Sequence, residues 1–142
     1  MSIILAQTDT TVGFLSQESA SLIRLKGRDE TKPFLKVFAS LSLLKQTLRV
    51  PLKYRSTVRY AKKTTFVINN QAIRYVQEGN HARLIERYGW LYSTSANESG
   101  KIYDPHFCYE HSDIIIEDSR GLTQCEPSTI IRLSATQSQQ LR

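Results

Sequence analysis

The sequence predicts an α/β fold with a mixed parallel and antiparallel sheet and flanking helices. Two observations carry this. Apolar runs of strand length alternate with segments of helical periodicity through the middle of the chain. One pair of runs, TTFVINN and QAIRYVQ, is joined by a tight turn at Asn69-Asn70. That turn makes an antiparallel hairpin, which excludes a purely parallel, doubly wound sheet.

The elements follow in order. SIILAQ is a short β-rich run, and TDTTVG breaks it with turn residues. SQESASLIRLKGR reads as a helix, capped by Ser16 and loosened by Gly27, with Ala20, Ile23 and Leu25 on its apolar side. FLKVFAS is strand-like. SLSLLKQTL is a second helix, with Leu41, Leu44 and Leu48 at helical spacing. A short basic helix is expected between Pro51 and Lys62. After the hairpin, GNHARLIERYG is a helix stopped by Gly89, and WLYSTS is a strand. ANESGKIYDP is a loop, while SDIIIED and STIIRLS are late strands. Residues 1–134 are expected to form one domain, and 135–142 a polar, frayed tail.

Composition narrows the function classes. The chain has 142 residues, 40% hydrophobic and 23% charged, which is ordinary for a globular domain. No apolar run reaches the ~20 residues of a membrane span, and the N-terminal stretch lacks a basic n-region. No membrane association and a cytoplasmic location are expected. Two cysteines and three histidines fall in no metal-binding spacing, so no protein metal site is expected.

The charge pattern is more informative than the net value of +6. Between Thr31 and Gln77 there is no Asp or Glu, but there are ten Lys and Arg residues. From Asp104 to Glu126 the balance reverses, with six acids and Arg120 as the base. A long acid-free window points to a positive surface or cavity for phosphates, in ATP or in RNA. Lys53, Arg55, Arg59, Lys62 and Lys63 are the candidate RNA contacts within it.

Three polar clusters follow or flank predicted strands: Thr8-Asp9-Thr10-Thr11, Ser93 to Asn97, and Pro127-Ser128-Thr129. Open α/β sheets bind ligands just beyond strand ends, where hydroxyls and backbone N–H groups can hold phosphate oxygens. Lys26-Gly27-Arg28, followed by Lys32-Pro33, supplies positive charge. Taken singly, each cluster also suits a turn, a cap or a solvated helix end. Neither a P-loop nor a GxGxxG is present, and no nucleophile–base set follows from spacing.

Taken together, TDTTVGF, LKGRDETKPFLKVFAS, TTFVINNQAIRYV, YSTSANESG and EPSTIIRL resemble, in order and spacing, the YrdC family. The resemblance runs from about Ile4 to Leu133. STSANESG is its most specific piece, and the Lys-x-Arg with a Pro five residues later is the next. The family includes threonylcarbamoyl-AMP synthases. The resemblance therefore implies a single domain with a twisted mixed sheet around a positive cavity. It implies an activity that makes threonylcarbamoyl-AMP from L-threonine, bicarbonate and ATP, with Mg²⁺ carried on the nucleotide. A threonylcarbamoyl transfer complex and tRNA are the implied partners.

Carried over by motif, Lys26 and Arg28 are implied as catalytic and ATP-binding cations, with Ser95, Asn97 and Ser128 as further ATP ligands. Thr8, Thr10, Lys32, Thr65 and Arg74 are implied at the threonine end. Three positions depart from the family pattern. Its Pro-Gly-Pro loop reads Ala61-Lys62-Lys63, the Pro after Lys-x-Arg is Asp29, and the Asp after Pro-Ser-Thr-x-x is Arg132. A non-catalytic, RNA-binding relative is the alternative expectation.

Overall fold

A computed structural model describes residues 2–29, 31 and 33–142. The chain divides into two compact units: one runs to Phe34 and resumes over Leu91–Pro127, and the other comprises Leu35–Trp90 and Ser128–Arg142.

The first unit holds β1 (Ile4–Gln7), β2 (Val12–Ser16), β6 (Trp90–Ser95) and β7 (Ile114–Ile116), in the order β7-β1-β2-β6. β1 is antiparallel to β2 and parallel to β7, and β2 is antiparallel to β6, so this sheet is mixed. Every residue of β1 and β2 is buried. A strand covered on both faces loses the period-2 alternation that marks half-buried strands. For that reason β2 does not stand out in the sequence, where its Gly13 reads as part of a turn. The glycine is there because a Cβ would lie 3.1 Å from both Thr94 O and Thr8 Cγ2.

α1 (Ser19–Lys26) packs on β2. Ser16 is not its N-cap as expected. It ends β2, and its Oγ accepts from Glu18 N at 3.1 Å. Gly27 stops the helix in the left-handed conformation, φ 61°, where a side chain would be strained. α5 (Pro105–Glu110) has no counterpart among the elements expected from the sequence. Asp104 caps it by accepting from His106 N at 3.1 Å, and Pro105 opens its first turn. Leu5, Val12, Phe14, Leu22, Phe34 and Cys108 form this unit's core.

The second unit holds β3 (Leu35–Phe38), β4 (Thr64–Ile68), β5 (Gln71–Tyr75), β8 (Thr129–Leu133) and β9 (Ser138–Gln140), in the order β3-β5-β4-β8-β9. Parallel β3–β5 and β4–β8 pairs alternate with antiparallel β4–β5 and β8–β9 pairs. The predicted hairpin forms, with φ 50° at Asn69 and 63° at Asn70, as a two-residue primed turn requires. The segment expected to fray instead pairs with β8 as β9.

α2 (Leu41–Thr47) is capped by Ser40, whose Oγ accepts from Leu43 N at 3.2 Å. A 3₁₀ turn (Leu52–Tyr54) leads into α3 (Arg55–Tyr60), the short basic helix expected from the sequence. α4 (Asn80–Tyr88) lies between Gly79 and Gly89 and buries His81, Ala82, Leu84 and Ile85. The core here is Phe38, Leu44, Leu48, Val58, Phe66 and Ile73, with neighbours. Among the described residues, no helix is long and apolar enough to cross a membrane.

Candidate functional site

Polar clusters lie in both units. In the first, α1 ends at Lys26 and aims its ammonium at the loop after β6. Lys26 Nζ donates to Ser95 O at 3.0 Å, Asn97 O at 2.8 Å and Asn97 Oδ1 at 3.1 Å. An ammonium has three donors, and the loop takes all three. Ser99 Oγ closes the contact by donating to Lys26 O at 2.6 Å. Burial, reinforced by the nearby Arg28 charge, holds the Lys26 pKa below its ordinary value.

Asn97 organises this loop. Its Oδ1 accepts from Lys26 and from Ser95 Oγ, the latter at 2.5 Å. Its amide donates to Lys101 O at 2.7 Å and Glu98 O at 2.9 Å. Asn97, an expected nucleotide ligand, thus engages both ends of its side-chain amide within the loop. Arg28 stacks its guanidinium 4.7 Å above the Phe34 ring and donates to Pro33 O at 3.3 Å. That leaves further N–H groups of its fork for a ligand. Lys32 lies outside the described residues.

Thr8 and Thr10 are buried in a turn of their own. Thr8 Oγ1 donates to Thr11 O at 2.5 Å and accepts from Thr10 N at 3.1 Å, and the two hydroxyls lie 3.3 Å apart. The turn reading of TDTT therefore holds locally, whatever else the hydroxyls meet. Cys108, buried in this unit's core, donates to Ala96 O at 3.3 Å, and its thiol pKa is pushed up to about 11 by burial and then by Asp104.

In the second unit, β4 lies between β5 and β8, and this order assembles the other cluster. Arg74 is 6% exposed on the interior strand β5. Its Nε and Nη2 donate to Thr65 Oγ1 at 3.3 and 3.2 Å. Thr65 Oγ1 lies 2.8 Å from Ser128 Oγ, just before β8. Arg142 completes the group, donating to Ser128 O at 2.9 Å and Ser128 Oγ at 3.3 Å. Partial burial, then the charge of Arg74, lowers the Arg142 pKa. Two guanidiniums and two hydroxyls meeting in this way suit a carboxylate or phosphate oxygen. Thr65, Arg74 and Ser128 are legible as candidates in the sequence. Arg142 is not, because a polar segment gives no strand signal.

The candidate RNA residues divide. Arg55 and Arg59 line a groove on the α2–α3 face, and Lys53 lines a neighbouring one. Lys62 pairs with Glu78 at 3.8 Å, both exposed. Lys63 adopts φ 52° in the turn before β4, and its carbonyl accepts from Thr129 N at 3.1 Å. Among the described residues there is no cluster of three potential metal-ligating side chains.

A mixed sheet with flanking helices, a lysine-pinned STSAN loop and a Pro-Ser-Thr serine beside an interior arginine define one class of domain. The Sua5/YciO/YrdC family model, described as telomere recombination, matches residues 2–142, and the chain belongs to that family. The fold is similar to that of P. abyssi Sua5 complexed with L-threonine, with a TM-score of 0.80 and 19% identity. That match covers 99% of this chain and 50% of Sua5. It is also similar to E. coli YciO, with a TM-score of 0.76 and 20% identity, over 99% of this chain and 82% of YciO. An uncharacterized MG259 homolog of Mycoplasma pneumoniae is 27% identical over 139 residues, which is 92% of this chain and 30% of that protein. The chain thus spans about a third of that relative and about half of Sua5.

Proposed function

We propose that this chain is a threonylcarbamoyl-AMP synthase-like protein, forming threonylcarbamoyl-AMP from L-threonine, bicarbonate and ATP for tRNA modification. The observation that supports it most is the joining of Lys26 to Ser95 and Asn97, two motifs about seventy positions apart in the chain. In this reading bicarbonate takes up a proton and loses water to give carbon dioxide, and the threonine amine captures this as a carbamate, releasing a proton. A carbamate oxygen then attacks the α-phosphorus of ATP, and pyrophosphate leaves with the electron pair of the broken P–O bond. No covalent enzyme intermediate is needed, so the protein's work is positioning and charge neutralisation.

Arg28 meets the phosphates through the face of its guanidinium fork not taken by Phe34 and Pro33. Lys26 shapes the loop and adds its charge, and Ser95 borders the nucleotide. Arg74 holds the threonine carboxylate, supported by Thr65, with Ser128 beside Thr65 as an ATP ligand. In this reading Mg²⁺ arrives on the triphosphate, whose oxygens are themselves ligands for it. The likeness to Sua5 solved with L-threonine supports the amino-acid side of the reading.

The test is pyrophosphate release from ATP. Release is expected only when L-threonine and bicarbonate are both present, and ATP cleavage indifferent to threonine would overturn the reading. Arg74→Lys should raise the threonine concentration needed at least tenfold while leaving the ATP requirement within about twofold, since an ammonium cannot present a planar fork. Equal losses for both substrates would remove the carboxylate role from Arg74.

A further inference from the structure

Among the described residues, eight large apolar side chains stand exposed, and seven of them belong to two surfaces of opposite charge. Leu52 and Tyr60 belong to the first, the α2–α3 face of the second unit. A groove of about 500 Å³ runs there, with Tyr60 in its lining and Leu48, Val50 and Val58 on its floor. Lys45, Arg49, Arg55 and Arg59 form its rim, and no acidic residue lines it. Leu52 lines a neighbouring groove that shares Arg49. The second surface lies in the first unit, around the acidic stretch from Asp104 to Glu126. It holds Ile102, Tyr109 and the whole of β7, whose Ile114, Ile115 and Ile116 are 39%, 47% and 37% exposed. β7 ends the strand order of its sheet and pairs with β1 alone among the described strands. Glu110 and Glu117, both exposed, precede and follow it in the chain.

We propose that the α2–α3 groove docks the β7 edge of a second copy of this chain. Exposed apolar side chains gathered in patches mark interaction surfaces. An apolar centre with a charged rim is the anatomy of a protein interface. Here one rim is cationic and the other acidic, so each surface supplies what the other lacks. Both halves of that complementary pair lie in one sequence, which is what selects a second copy as the occupant. Two β7 edges do not join to each other, because the acids beside them would meet like charges. Groove and edge are different surfaces, so the contact is heterologous. Each docked copy keeps one unused surface, and association runs on into a ring or a chain of copies. Neither surface includes a residue assigned to ATP or threonine, so the inference does not rest on the synthase reading.

The test is a charge swap read by analytical ultracentrifugation, without ATP or threonine. The weight-average mass of the parent should rise above the 16.3 kDa of one chain as concentration rises, at about 50 mM salt. It should fall back towards one chain at about 1 M salt, where the screening length is only ~3 Å. Arg55→Glu with Arg59→Glu gives a groove that repels β7, and Glu110→Lys with Glu117→Lys gives an edge that repels the groove. Each double variant alone should stay at the mass of one chain. An equal mixture should associate again, because the acidic groove of one then meets the basic edge of the other. Arg83→Glu with Arg87→Glu on α4 makes the same change in net charge away from both surfaces and should associate like the parent. All six side chains are exposed, so the far-ultraviolet circular dichroism of each variant should match the parent's. A parent of single-chain mass at every concentration up to about 200 µM would overturn the proposal, since a micromolar contact is populated there. So would association of either double variant alone, or a mixture of the two, both folded, that stays at single-chain mass. Equal loss on reversing Arg83 and Arg87 would make association a matter of net charge and overturn it as well.

Discussion

Lys26 Nζ lies 2.8 Å from the backbone carbonyl of Asn97 and 3.1 Å from its side-chain oxygen, so the end of α1 and the loop after β6 form one hydrogen-bonded body. Removing either partner leaves the other's polar atoms to water. Asn97→Ala is expected to cost ~1–3 kcal/mol, the range for bonds to a charged donor. Lys26→Met should cost a similar amount. Because the residues share the same bonds, the double variant should lose well under the sum, as a double-mutant cycle in urea would read. Additive losses would mean that Lys26 and Asn97 stabilise the chain separately.

Gly13 gives a second expectation. A Cβ there meets the Thr94 carbonyl and the Thr8 methyl at 3.1 Å each, and neither is the free end of a long side chain. Gly13→Ala should therefore destabilise the chain by ~1–3 kcal/mol, the usual cost of overpacking. The denaturation midpoint checks it. A midpoint at or above the parent's would show that β2 and β6 separate easily.

Cys108 gives the third, through pH. Its thiol is pushed up to about 11 in the folded chain, chiefly by burial, whereas an unfolded thiol titrates near ~8.5. A raised pKa means that the folded state holds the proton more tightly. The contribution to stability is complete below ~8.5 and is lost as pH rises towards 11. Cys108→Ala should lose less stability than the parent between pH 7.5 and 10.5, measured by urea denaturation. Equal losses in the two proteins would rule out this thiol as the source.

The sequence announces an element clearly when local chemistry alone determines it. Asn69-Asn70 sits between two β-rich runs, and the left-handed turn follows. Ser40 and Ser93–Ser95 likewise lie where cap and strand-end rules place them. β2 is hidden because burial on both faces erases its alternation and Gly13 imitates a turn. β9 is hidden because Ser138–Gln140 owe their strand to β8, not to their own propensity. α5 does leave a signal, the Asp104-Pro105 pair, but the same pair reads equally as the end of a loop. In the clusters, residue type shows where polar groups gather. It cannot show that the Asn97 amide turns inward to its own loop, or that Arg142 comes back to Ser128.

The hairpin turn carries a responsibility for chemistry it never touches. The β4–β5 register sets Phe66 opposite Ile73, and the next pair along is Thr65 and Arg74, whose side chains meet. Side chains in a strand change face with every residue. One extra residue at Asn69-Asn70 would present Ile73 to Thr65 and carry the guanidinium to the opposite side of the sheet. Two asparagines thus act as a gauge block for a charge several residues away. An insertion at this turn that shifts the register would cost the Thr65–Arg74 contact even where the turn itself still closed.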